Sequence, residues 1–469
     1  MDNLDSEGVL KFQDTEERLK CVTIKTMLEV LLPLTMFVTL FFVLLLGYPV
    51  ALTIGGIATL FGGLGAFLGV FDPIFFQIFP SRIFGLVSNL TLIAIPLFIF
   101  MGMVLAKSGL AERLLEIMGA LFGKVPGGLA VSVILVGGLL AASTGIVSAT
   151  VITMTLISLP VMLKQHYSAS AATGTIAAAG TLGQIVPPSI VLILLADVLS
   201  NPATSVGKVF AAAIVPSLLL IGSYLIFSLL KSYYQKIPPV QTTIPLSLRS
   251  LLTTLLPPLV LISCVLGSIL TGLATPTESA AVGATGAIVL AFFFARKKIT
   301  TTIWDSAEET VKITAMILLI LIAASAFSLI FRGMGGDVLI QDFLINLALS
   351  PYLVLAIVML LIFLVGFFLD FIEIIYIFVP ILAPILITDF GFDPLLIVIL
   401  FALNLQTSFL TPPLGFTLFC LKGAAPKNIR MQQIIQGVVP FIFIQICVIA
   451  LVLIWPELVT TLPEFLANR

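Results

Sequence analysis

The chain has 469 residues, 60% hydrophobic and only 10% charged, with a net charge of −1 and a mean hydropathy of +1.24. Apolar runs long enough to cross a bilayer recur along it, so an all-α polytopic protein of the lipid bilayer is expected rather than a soluble domain. The basic residues are dispersed in short loops, which excludes a nucleic-acid-binding patch. Four scattered cysteines, Cys21, Cys264, Cys420 and Cys447, offer neither a disulfide framework nor a metal-site spacing.

Residues 1–27 form a polar tail carrying Asp2, Asp5, Glu7, Asp14, Glu16 and Glu17 among Lys11, Arg18 and Lys20. No basic segment stands directly before a short apolar stretch, so this is not the pattern of a signal peptide; it is a tail, or it precedes a start at Met27. Spans are predicted at 28–47, 50–70 and 89–106, then an apolar pair at 127–142 and 146–163. A broken span follows at 169–199, with full spans at 209–230, 251–271, 276–295 and 311–331. A second pair lies at 351–366 and 371–388, a second broken span at 394–421, and a last span at 433–455. The arms of both pairs are near the lower length limit for crossing, and their connections are short and mostly uncharged, so each reads as a re-entrant helical hairpin.

Both broken spans carry a double proline. The first is Gly180 to Ser189, Gly-Thr-Leu-Gly-Gln-Ile-Val-Pro-Pro-Ser; the second is Gln406 to Gly415, Gln-Thr-Ser-Phe-Leu-Thr-Pro-Pro-Leu-Gly. Irregular backbone at membrane depth is tolerated only where it is buried in protein or lines a cavity, and paired breaks of this kind mark a transporter's binding site. With hairpins entering and leaving on one side, Lys107, Arg113, Lys124, Lys164, Lys231, Lys236, Arg249, Arg296, Lys297, Lys298, Lys312, Lys422, Lys427 and Arg430 fall on the cytoplasmic side. Arg82, Lys208, Arg332 and Arg469 fall opposite, as do both termini. Pro49 and Pro276, and Gly56 and Gly283, are spaced almost as the two proline pairs are, which predicts an inverted repeat of elevator-transporter type with two hairpins and two broken helices. The expected domains are a tail (1–27), a first repeat (28–208, hairpin 127–163, broken helix 169–199) and a span with cytoplasmic connector (209–250). A second repeat (251–432, hairpin 351–388, broken helix 394–421) and a last span with tail (433–469) complete the chain.

Half-helix ends present unpaired carbonyls at one terminus and unpaired amides at the other, so a break suits a cation in one region and an anion in another. The first hairpin tip, Ala142 to Thr150, adds small hydroxylated groups; the second, Gly366 to Glu373, adds carboxylates. Oxygen-only ligands suit a hard cation such as sodium. Asp370 and Glu373 stand out, since a carboxylate between apolar arms is costly and marks function; Asp370 also fits an N-cap of the second arm, and both roles are compatible. Glu278 fits a cap in the first turn of its helix, with a ligand role as the alternative. Asp197, near the end of a half-helix, is expected at an interface. The lone His166 has no second histidine with which to bind a metal. No metal cluster, nucleophile elbow or phosphate loop appears, which argues against an enzyme or an ATP-driven pump, and no cofactor is expected.

Five motifs in order, Gly-Tyr-Pro-Val-Ala from Gly47, Ile-Pro-Leu-Phe-Ile-Phe-Met-Gly from Ile95, the first break, Ala-Thr-Pro-Thr-Glu-Ser-Ala-Ala-Val-Gly from Ala274 and the second break, resemble the large membrane subunit of a tripartite ATP-independent periplasmic (TRAP) transporter. The resemblance runs from about Met27 to the C-terminus. It implies a sodium-driven, elevator-type importer in a bacterial or archaeal inner membrane, taking an organic acid from a periplasmic substrate-binding protein and working with a small four-helix membrane subunit. Carried over, sodium site 1 falls on Ser143, Thr144, Gly180 and Gln184, and site 2 on Gly366, Asp370, Thr407 and Thr411; the substrate falls at Ser148, Pro187, Ser189 and Pro412. The first tip has Ile146 and Val147 between its polar residues and is more apolar than the Ser-rich tips of many members. A stand-alone secondary carrier or ion antiporter of the same fold is the alternative.

Overall fold

The computed structural model describes residues 27–199, 201–237, 248–295, 298–413 and 415–467. The acidic tail and the charge-pattern residues Arg296, Lys297 and Arg469 lie outside the described residues. Described regular structure is helical throughout, and nine of the described helices are long and apolar enough to cross a membrane. In chain order the first helices are α1 (Met27–Leu45), α2 (Val50–Phe67), α3 (Ile74–Val87), α4 (Leu90–Lys107) and α5 (Leu110–Phe122). The first hairpin is α6 (Gly128–Thr144) and α7 (Val147–Lys164), and the first broken helix α8 (Ala169–Thr181) and α9 (Ile190–Leu199). Then come α10 (Val206–Tyr234), α11 (Leu248–Leu270), α12 (Pro276–Phe294), α13 (Ile299–Gly333) and α14 (Gly336–Asn346). The second hairpin is α15 (Pro351–Val365) with α16 (Phe371–Ile377) and α17 (Val379–Thr388), the last two bent by 54°. The second broken helix is α18 (Pro394–Leu410) and α19 (Phe416–Ala424), followed by α20 (Met431–Ile454) and α21 (Glu457–Ala467).

The chain divides into two compact units. One takes in the described residues up to Ser88 and Met316–Val354. Its interior is aromatic: Phe37 meets Phe327 and Phe331 edge to face at 5.2 and 4.8 Å, the favoured geometry for ring pairs. A cavity of about 270 Å³ opens between Phe37, Phe331, Leu339 and Phe343.

The other unit, Asn89–Ala315 and Leu355 onward, holds both broken helices. Helix α8 is built from small residues, Ala-Ser-Ala-Ala-Thr-Gly-Thr-Ile-Ala-Ala-Ala-Gly-Thr, and starts at Ser168, whose hydroxyl accepts the amide of Ala171 at 3.2 Å. Its small face lets neighbours approach to backbone contact: a Cβ on Gly174 would collide with the backbone of Gly437 in α20, and one on Gly437 with that of Ser170. The helix tightens into a 3-10 turn, Leu182–Gln184, and stops before Pro187 and Pro188, which lack N–H donors and clash with a preceding helical turn. Helix α18 starts on Asp393, which accepts the amides of Leu395 and Leu396 at 2.8 and 3.0 Å. It ends at Thr411, whose extended backbone (φ −93, ψ 130) is what a residue before proline prefers. The peptides Pro187–Pro188 and Pro412–Pro413 are both cis.

The first hairpin turns on Gly145, left-handed at φ 61, whose amide closes α6 on Ala141 at 2.9 Å; only glycine adopts that conformation without cost. The packing is reciprocal between the halves. Helix α19, the distal piece of the second broken helix, packs on α7 of the first hairpin, while α9, the distal piece of the first, packs on α16 and α17 of the second.

Four stretches predicted as connections or tail are helical: α3, α5, α14 and α21. Helix α5 is amphipathic, burying Leu110, Ala111, Leu114, Leu115 and Met118 and exposing Glu112, Arg113 and Glu116; a search for long apolar runs passes over such a pattern. The span expected at 311–331 extends to the 35 residues of α13. Its early turns are polar, with Trp304 74% exposed. Lys107, the last residue of α4, donates to the carbonyl of Asp305 there at 2.9 Å and lies 3.5 Å from Glu309.

Candidate transport site

The first predicted cation set is brought together by α6 and α7 packing on α8 and its 3-10 turn. Ser143 and Thr144 are buried in the last turn of α6. The Ser143 hydroxyl donates to Leu140 O at 2.8 Å, and those of Thr144 and Thr150 lie 2.7 Å apart, Thr150 donating to Ile146 O at 3.2 Å. Gly180 lies against α7, where a Cβ would collide with the Val151 side chain, and Gly183 lies against the carbonyl of Ala141. Gln184 is completely buried in the 3-10 turn; its carbonyl accepts the Ser189 hydroxyl at 2.9 Å. Ser148 stands half-buried in the first turn of α7, Pro187 and Ser189 are buried, and Pro412 is half-buried.

In the second set, Gly366 follows the end of α15 and leaves no room for a Cβ beside Ser408 of α18. The rings of Phe371 and Phe409 lie 6.2 Å apart, bringing the start of α16 to the same break. Asp370 is the N-cap of α16 in a capping box: its carboxylate accepts the Phe371 amide at 2.8 Å, and its own amide donates to Glu373 Oε2 at 3.2 Å. Thr407 donates to Leu403 O and Thr411 to Thr407 O, each at 2.7 Å. Among the described residues no hydrogen bond joins Asp370 to either threonine. Thr407 also lines, with Asn404, a cavity of about 350 Å³ otherwise walled by apolar residues such as Met359, Phe363, Leu400 and Ile446.

The chemistry of both sets follows from where these hydrogens go. A hydroxyl has one hydrogen and two lone pairs; those of Ser143, Thr407 and Thr411 are directed to carbonyls of their own helices, and the Thr144–Thr150 pair ends on a carbonyl too. The capacity these oxygens keep is acceptor, the requirement of a hard cation.

Glu278 forms a capping box with Thr275, accepting the Thr275 amide at 2.8 Å. Asp197 links three elements: Asn89 Nδ2, at the start of α4, donates to Oδ1 at 2.6 Å, and the Tyr376 hydroxyl of α16 donates to Oδ2 at 3.0 Å. Sequence reasoning singled out Asp197 but neither partner; the polar residue directly before the apolar run of α4 was the available signal for Asn89, and nothing local marks Tyr376. Tyr376→Phe is expected to lower stability by about 1.5–3 kcal/mol, the usual worth of a hydrogen bond to a carboxylate. Thermal melting in detergent measures this, and an unchanged melting temperature would mean that the bond carries no load.

Broken helices packed reciprocally with hairpins in a multi-span helical chain define a membrane transporter fold. The same fold is found in the YdaH transporter of Alcanivorax borkumensis, with a TM-score of 0.57 at 14% identity, covering 81% of this chain and 88% of that one. The chain belongs to the tripartite ATP-independent periplasmic transporter family as a DctM component, the family profile matching residues 37–458. It is 31% identical to the C4-dicarboxylate TRAP transporter large permease protein DctM of Pseudomonas aeruginosa, over 85% of this chain and 92% of that protein. It is 28% identical to the sialic acid TRAP transporter large permease protein SiaM of Vibrio cholerae, over 82% and 88%. The chain is a multi-pass inner-membrane protein.

Proposed function

We propose that this chain is the permease of a sodium-coupled importer that takes an organic acid from a periplasmic substrate-binding protein and works beside a small four-helix membrane subunit. The observation that carries the reading is the set of hydroxyls at the breaks, Ser143, Thr144, Thr407 and Thr411, whose hydrogens go to protein oxygens and whose own oxygens therefore keep only acceptor capacity. Sodium occupies Ser143, Thr144, Gly180 and Gln184 at the first break, and Gly366, Asp370, Thr407 and Thr411 at the second. The acid lies between them, at Ser148, Pro187, Ser189 and Pro412. Relatives named for a C4-dicarboxylate and for sialic acid support a carboxylate cargo. Hairpins and broken helices move together as the transport domain of an elevator, with the remaining spans as scaffold. Sodium orders the tips and raises affinity for the acid, and by linkage the acid raises affinity for sodium to the same degree.

The test is uptake of labelled organic acids into proteoliposomes holding this chain and its small partner, with and without an inward sodium gradient and the binding protein. Uptake that needs both is the expected result. Uptake indifferent to the binding protein would replace the tripartite reading with a stand-alone carrier, and uptake indifferent to sodium would remove the coupling.

A further inference from the structure

Hydroxyls around both breaks give their hydrogens to carbonyls: Thr181 to Ala178, Ser189 to Gln184, Thr407 to Leu403, Ser408 to Leu405 and Thr411 to Thr407, all between 2.7 and 2.9 Å. Gln184 and Gln406 differ. Both are completely buried, and neither the Nε2 nor the Oε1 of either has a partner among the described residues. An unpaired buried polar group costs about 1–3 kcal/mol, and buried polar groups are paired as a rule. The two glutamines belong to adjoining elements, since the 3-10 turn that carries Gln184 packs on α18, which carries Gln406. A third buried glutamine, Gln445 of α20, is without a hydrogen-bond partner among the described residues too, as is the Tyr224 hydroxyl of α10, but neither residue lies in a break.

We infer that the carboxamides of Gln184 and Gln406 supply the N–H donors that hold the carboxylate of the transported acid. A carboxylate accepts only, so it needs donors that nothing else has claimed. The hydroxyls named above have given theirs away, and neither break, Gly180 to Ser189 or Gln406 to Gly415, contains a lysine or arginine. Among the side chains the carboxamide N–H groups remain, joined by the buried, unpartnered hydroxyl of Thr417 in the first turn of α19, beside the first-turn main-chain amides of α9 and α19. Each amide can take either orientation, so Gln184 can turn its oxygen to the first cation while its nitrogen faces the anion. Neutral donors have a further consequence. A buried anion without a counter-charge is costly, so a site of amides holds a carboxylate well only when a cation lies beside it. An arginine there would bind the acid without sodium; glutamines make the acid wait for it. This assignment rests on the reading of the cargo as a carboxylate.

The test is Gln406→Glu, nearly isosteric, which exchanges the NH₂ donor for an acceptor. Purified full-length chain with its small partner is melted in choline chloride and in sodium chloride, with succinate, gluconate and sialic acid as probes. Sodium-dependent uptake of the acid that the parent chain transports is measured alongside. Gln406→Glu is expected to keep the rise in melting temperature caused by sodium alone and to weaken the response to the acid by more than about tenfold. Should that variant fail to fold, Gln406→Asn retains the amide but withdraws it by one methylene, and the same weakening is expected. Apparent affinity for the acid within about twofold of the parent in either folded variant would overturn the inference. A parent chain that responds to a carboxylate separates that failure from failure of the cargo reading; a parent that responds to none of the acids overturns both.

Discussion

Gly102→Val is expected to abolish sodium-dependent uptake, although the chain still inserts. Gly102 lies in α4, where a Cβ would land on the backbone of Ser143 and Thr144 at the first hairpin tip. The obstacle is main chain, which cannot change rotamer to make room, so the tip or α4 must shift. Overpacking of this kind costs typically about 1–3 kcal/mol. The functional loss expected is larger, because the cation site proposed at the tip would be displaced as a unit and its ligand geometry with it. The control is Gly222→Ala in α10, where a Cβ meets nothing within 4 Å. Uptake per purified transporter decides the matter: parent-like sodium-dependent uptake in Gly102→Val would show that the tip does not need this close approach.

Asp370→Asn is expected to remove most of the sodium activation while leaving the fold in place. The carboxylate caps α16, and asparagine caps almost as well as aspartate, so the substitution takes the charge and keeps the cap. Stability should change by less than about 1 kcal/mol, whereas Asp370→Ala, losing the cap too, should cost about 0.5–2 kcal/mol. If the carboxylate is a cation ligand, half-maximal activation in Asp370→Asn moves at least about tenfold higher in sodium, the worth of one charge-assisted contact. Sodium titration of uptake in the two variants separates capping from ligation. Unchanged activation in Asp370→Asn would leave Asp370 as a cap alone.

The helical class and the positions of the breaks were legible because their causes are local. Pro187, Pro188, Pro412 and Pro413 each deny the backbone a donor, and the helices stop just before them. Helix α5 was missed for an equally local reason: its pattern is amphipathic and shorter than a span. The candidate site was legible as positions rather than as chemistry. That Asn89 and Tyr376 converge on Asp197 depends on three elements meeting, with Asn89 108 residues before Asp197 and Tyr376 179 after it. That Gln184 and Gln406 are left without partners depends on what every neighbouring hydroxyl has done with its hydrogen, and sequence carries no record of that.

Helix α13 is about 50 Å long at 1.5 Å per residue, against about 30 Å of hydrocarbon in a bilayer, so its early turns must stand clear of the lipid chains. The chain has only two tryptophans, and one of them, Trp304, sits on that overhang beside Asp305, whose carbonyl Lys107 of α4 grips. The other, Trp455, is a half-exposed residue capping the end of α20. Indole emission shifts with the polarity around the ring. The protein therefore carries its own optical probe at the joint between α13 and the helix that touches the first hairpin tip, readable without any attached dye.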